Sequence, residues 1–157
     1  MFQFPNPVNE LVARTVACTV LVLCMAAAVT QNEWLFVALG AGFVLRVTTA
    51  SRLDPVAVVA SRVIAPRLGP PRWTPGPPKR FAQGIGATLT VPAAVLAVAG
   101  VTAPAVVLVA MVGVAAFLEG VVGFCVGCWL FARLMQAGVI PERVCEECAD
   151  IWGRAAA

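Results

Sequence analysis

Charged residues are scarce in this 157-residue chain, at 12% of the total, about half the share of a soluble globular protein. Apolar residues supply 61%, and the mean hydropathy is +0.91. Such a deficit of charge places the chain in lipid, and its length is expected to leave no room for a separate soluble module. At about 20 apolar residues per crossing, the length accommodates four membrane helices and their connections in one domain. Histidine is absent altogether, so a metal site here would have no imidazole to draw on. The net charge of +3 carries no nucleic-acid reading, because in a membrane protein the placement of each charge outweighs the sum.

Basic residues are also missing ahead of the first apolar run. Residues 1–10 contain no Lys or Arg, and the run 11–30 is broken only by Arg14. A cleaved signal peptide wants a basic lead and a shorter apolar core, so a spanning helix is expected. Leu21-Val22-Leu23-Cys24 fails as a lipoprotein site because Leu23 stands where a small residue is needed. No internal repeat stands out.

The remaining organisation follows from composition. Gln31-Asn32-Glu33 forms a polar turn, and Trp34 opens a second run, 34–50, at an interfacial aromatic position. Residues 51–80 carry Pro55, Pro66, Pro70, Pro71, Pro75, Pro77 and Pro78, which forbid a long helix. Within this loop, residues 55–65 place Val56, Val59, Val63 and Ile64 near helical spacing, with Arg52 and Arg62 able to reach headgroups. That suits a short interfacial helix. A third run, 81–101, tolerates Gly84, Gly86 and Pro92 if its neighbours pack closely. After an uncharged turn at Thr102 and Ala103, a fourth run covers 104–124 with Glu119 as its only charge. Residues 125–135 either extend that helix or kink into the interface, and 136–157 form a polar tail with four acidic residues. The fold expected is an all-α four-helix transmembrane bundle. The 51–80 loop holds six basic residues (Arg52, Arg62, Arg67, Arg72, Lys79, Arg80) against Asp54 alone, which places it, both termini and the tail in the cytoplasm. The same basic residues are able to bind anionic headgroups, but setting topology is the simpler role.

The most specific motif is Cys125-Val126-Gly127-Cys128, followed after sixteen residues by Cys145-Glu146-Glu147-Cys148. The spacing fits a tetrahedral zinc site with Cys125, Cys128, Cys145 and Cys148 as ligands, although Glu146 and Glu147 add negative charge to a site that already has four thiolates. A reducing compartment disfavours structural disulfides and leaves metal binding or transient redox chemistry. In the second reading Cys125 or Cys128 attacks a disulfide or persulfide and its partner resolves the product. Trp129 beside the pair is superficially thioredoxin-like, but no alternation of strands and helices accompanies it. In the third Cys125 and Cys128 are small packing residues at a helix end and Cys145 and Cys148 an unrelated pair; packing is also the role expected of Cys18 and Cys24 within the first helix.

Intramembrane charge is the other signal, since it is costly and marks function by default. Arg46 and Glu119 lie at similar depth, Glu119 being about 9 Å along a helix from Cys125. An ion pair between Arg46 and Glu119 would satisfy both and set helices two and four side by side, and a proton or ligand site is the alternative. Gly123 and Gly127 have a small-x-x-x-small spacing that permits close helix approach.

Several segments together carry a resemblance. Asn6-Pro7-Val8-Asn9, Arg52-Leu53-Asp54-Pro55, Pro66-Arg67-Leu68, the stretch from Lys79 to Gly86, and Glu119 through Phe124-Cys125-Val126-Gly127-Cys128-Trp129 resemble the bacterial membrane family catalogued as domain of unknown function 4395 (DUF4395), over about residues 6–134. The resemblance implies a bacterial inner-membrane protein, and the Ala, Val and Arg usage suits a GC-rich actinobacterium. It also implies thioredoxin-like or sulfurtransferase proteins as partners. Cys145 and Cys148 lie beyond it. The reading it favours is thiol or reduced-sulfur handling at the cytoplasmic face by Cys125 and Cys128, with Glu119 assisting proton transfer and with the chain expected to act as a component and not as an enzyme by itself. The runner-up is a non-enzymatic module whose four cysteines hold zinc or an iron-sulfur centre and dock a partner. A small oligomeric transporter using Arg46 and Glu119 is third.

Overall fold

The structure, a computed structural model, describes residues 6–49, 53–141 and 144–145. Helix α1 (Glu10–Thr30) starts where the Asn9 side chain accepts a hydrogen bond from the Leu11 amide at 3.0 Å, and it ends at Gln31 in the left-handed region, φ 52°. Its buried residues, Ala17, Val20, Cys24 and Ala27, recur every three or four positions, so a single stripe faces the neighbouring helices. Helix α2 (Glu33–Thr49) follows after Asn32, whose side chain accepts from the Trp34 amide at 3.0 Å, and it buries Phe36, Leu39, Gly40, Phe43 and Arg46.

The proline-rich loop is more helical than its composition suggests. Asp54 caps α3 (Pro55–Val59), accepting from the Val56 amide at 3.1 Å. The chain continues through a π-helical turn (Ala60–Ile64) into α4 (Ala65–Leu68), so the helical stretch expected over 55–65 runs past Pro66. Its buried contacts are the alanines Ala57, Ala60 and Ala65, while Val59, Val63 and Leu68 point outward. The next residues form strand β2 (Trp73–Thr74), which pairs antiparallel with β1 (Val8–Asn9), Val8 opposite Thr74 and Asn9 opposite Trp73. This pair was not expected from the sequence. The Asn6 side chain extends it by accepting from the Gly76 amide at 2.9 Å.

Helix α5 (Gly76–Val98) begins five residues before the expected start at 81, because Pro77 and Pro78 occupy its first turn, where a missing N–H costs nothing. It lies along α2. A Cβ added at Gly40 would lie 3.3 Å from the Thr90 carbonyl oxygen, and one at Gly86 would overlap the Phe43 ring. Helix α6 (Thr102–Phe117) continues through a second π-helical turn (Leu118–Val122) and packs on α1 and α5. The chain then breaks at Gly123, φ 83°, and restarts as α7 (Val126–Gln136). Residues 125–135 therefore turn away from the fourth run instead of extending it.

Helices Glu10–Thr30, Gly76–Val98 and the continuous Thr102–Val122 are long and apolar enough to cross a membrane, with mean hydropathies of 2.1, 1.6 and 2.5. α2, at 17 residues, is shorter. Outward-facing Val22, Met25, Val95, Val107, Met111 and Val114 are exposed, a surface compatible with lipid contact. The core proper gathers Val20, Ala27, Phe36, Leu39, Ala93 and Val109.

Candidate functional site

The chain direction brings four helix ends together. The start of α1, the end of α2, the start of α5 and the end of the α6 extension share one end of the bundle with the 53–75 loop and α7. Arg14, Arg46, Arg62, Arg67, Arg72, Lys79, Arg80 and Arg133 all belong to it, and the opposite turns carry Glu33 alone. A chamber of about 820 Å³ opens at this end between α1, α2, α3, α5, α6 and α7.

The charges within the bundle do not pair as expected. Arg46 bonds to Asp54, both buried, and its guanidinium also lies 5.1 Å from the Phe43 ring centroid. Glu119 instead accepts from Lys79, Nζ to Oε1 at 2.5 Å, with both side chains largely shielded. The expected Arg46–Glu119 pair is thus replaced by two local ones. Asp54 follows α2 closely enough for Arg46 to fold onto it, and the early start of α5 carries Lys79 to the level of Glu119. Both cations and Glu119 line the chamber.

The motif sits at its rim. Cys125 is the N-cap of α7, its Sγ accepting from the Cys128 amide at 3.3 Å, and its sulfur is joined to that of Cys128 in a disulfide with the Cα atoms 5.2 Å apart. Three contacts fix this turn. Arg14 donates to the Gly120 carbonyl from Nε at 3.2 Å and to the Val121 carbonyl from Nη2 at 3.0 Å, placing a cation on the last carbonyls of the α6 extension. Gly120 meets Cys18, where an added Cβ would be 2.7 Å from Sγ. Gly127 meets Ala82, where a Cβ would overlap the Ala82 side chain and backbone. Close approach thus occurs at Gly120 and Gly127, while Gly123 provides the positive φ.

Cys145 is buried beside Phe131 in a small cluster with Phe81, Met135 and Ile140, Phe81 and Phe131 meeting edge to face at 5.5 Å. It is itself disulfide-bonded. Cys148 lies outside the described residues, as does Arg52, and among the described residues no three His, Cys, Asp or Glu side chains converge as a metal site.

Lys79 and Gln83 were missed as site residues by sequence reasoning. They are four apart on α5, followed by Gly86 and Leu89 on the same face of the chamber. Gln83 Oε1 is buried without a hydrogen-bond partner. The available signal was the Pro77-Pro78 helix start, which would have put Lys79 and Gln83 in register.

Together these features define a small helical protein with three helices fit to span a bilayer and a cysteine pair at the mouth of an internal chamber. The chain belongs to the family described as Domain of unknown function (DUF4395), which matches residues 8–136. No curated protein and no solved structure matches it.

Proposed function

We propose that the protein is a bacterial inner-membrane component that handles thiols or reduced sulfur through Cys125 and Cys128. The observation that carries this reading is the bonded cysteine pair at the N-terminus of α7, whose Cys125 lines the chamber that also holds the Lys79–Glu119 pair. A helix start favours a thiolate there once the disulfide is reduced, and Lys79 and Glu119 offer a cation and a proton acceptor nearby. The step is thiol–disulfide exchange. A partner thiolate attacks one sulfur and the other leaves as a thiolate, giving a mixed disulfide. A second partner thiolate then attacks the partner sulfur and frees the pair. Two thiols become one disulfide, and Cys125 and Cys128 take up two electrons and two protons. A thioredoxin-like or sulfurtransferase protein is the partner this chemistry suits, in an assembly with it or with further copies of the chain.

The same reading takes α2 as a fourth crossing. Its 17 residues reach about 25 Å, near the lower limit for a span. The basic end then faces the cytoplasm with both termini. Impermeant maleimide should label a cysteine placed at Gln31 in intact cells and one placed at Gly69 only after permeabilisation.

A four-cysteine zinc site that docks a partner is the second reading, favoured by the packing of Cys145 against Phe131, three residues after Cys128. Transport through an Arg46–Glu119 site loses support, since each residue is paired elsewhere. Trapping separates the two leading readings. A Cys128→Ser variant should accumulate a mixed disulfide at Cys125. Recovery of one zinc per chain, lost on Cys145→Ser with Cys148→Ser, would replace the thiol reading with the metal one.

A further inference from the structure

The chamber reaches much deeper than a thiol exchange at its rim requires. Its lining passes from Lys79 to Leu89 on α5 and from Glu119 back to Val112 on α6, about 10–15 Å into the bundle at 1.5 Å per residue. That floor, with Val16 and Val20 of α1, is apolar. A volume of about 820 Å³ is in the range of small-molecule sites, which are typically mostly apolar with a few placed polar groups. Here the placed groups are Lys79, Glu119 and Gln83, and the Gln83 Oε1 lacks a donor, a costly state for a buried acceptor. Trp73 and Phe43 add aromatic surface.

We infer that the chamber binds a lipid-soluble quinone, its ring beside Cys125 and its chain along the apolar floor, as electron acceptor for the reduced Cys125–Cys128 pair. This rests on the thiol reading above and names the acceptor. Charge favours a quinone over an anionic amphiphile, because Arg46 and Lys79, the shielded cations of the lining, are already neutralised by Asp54 and Glu119, and the third, Arg62, is exposed to solvent. An electron carrier dissolved in lipid also explains why a redox pair adjoins an apolar recess. The reaction balances. One sulfur–sulfur bond forms between Cys125 and Cys128, two electrons and the two thiol protons pass to the quinone, and a quinol leaves. Lys79 donates to a ring carbonyl, and the Gln83 Oε1 accepts from a quinol hydroxyl.

The test uses the full chain purified in detergent, reduced with a dithiol and desalted, with a short-chain ubiquinone analogue as probe. Saturable quenching of tryptophan fluorescence, lost in Trp73→Phe, is expected, with one quinol formed per chain as Cys125 and Cys128 become bonded. Gln83→Leu should raise the half-saturating quinone concentration about tenfold; an unchanged value would overturn the role of Gln83. A pair that reacts with a small soluble disulfide while the quinone neither quenches nor is reduced would overturn the inference and leave the thiol reading standing. Saturable binding with cysteines inert toward both disulfide and quinone would overturn both.

Discussion

Lys79 and Glu119 lie forty residues apart in sequence and meet with Nζ 2.5 Å from Oε1, joining the first turn of α5 to the α6 extension in the chamber that Cys125 also lines. Neither side chain is more than about a fifth exposed, so removing one partner strands the other. Glu119→Leu should destabilise the protein by roughly 2–3 kcal/mol, somewhat below a fully buried pair, and adding Lys79→Met should restore most of the loss. Thermal unfolding of the two variants in one detergent checks this.

Gly127 tests how α7 is held. A Cβ there overlaps Ala82, so Gly127→Val should cost about 1–3 kcal/mol through forced displacement of α7. Displacement should also speed alkylation of the reduced cysteines. Ala82→Gly in the same chain should recover part of the loss, because it removes one of the overlapping side chains and leaves the backbone approach.

Arg46 and Asp54 are buried together, and Asp54 also caps α3. Asp54→Ala therefore leaves a buried guanidinium unpaired and a helix start uncapped, with an expected loss of roughly 3–5 kcal/mol. Asp54→Asn should cost less, since an amide oxygen still accepts from Val56. Equal losses for the two variants by thermal unfolding would contradict this assignment.

Parts of this architecture were legible because a long apolar run has few other fates. α1 lies almost where the run 11–30 put it, and the polar Gln31–Asn32 turn is present. The start of α5 was hidden because Pro77 and Pro78 were read as helix breakers, although proline is favourable in a first turn. That misplacement concealed Lys79 as the partner of Glu119. Composition also gave no sign of the β1–β2 pair, whose hydrogen bonds are made by backbone that any residue supplies. The cysteine motif was plain in the sequence, but its place at a chamber was not, because the chamber is made by residues from six helices and the β1–β2 pair.

Asn9 joins two of these segments. Its side-chain oxygen caps α1 through the Leu11 amide at 3.0 Å and lies 3.4 Å from the Arg72 amide beside β2. Asn9→Ala should cost about 1 kcal/mol or slightly more, and Asn9→Asp, which keeps the acceptor, should be near neutral. Unfolding midpoints of the two variants measure the difference.

The most direct measurement of the central claim is the redox state of Cys125 and Cys128 in membranes equilibrated across a series of dithiol–disulfide buffers, followed by alkylation and mass analysis of the peptide that holds both. The account predicts one reversible transition in which the two cysteines gain and lose their labels together. Two cysteines labelled independently, or a pair that stays bonded in every buffer until the protein unfolds, would contradict it.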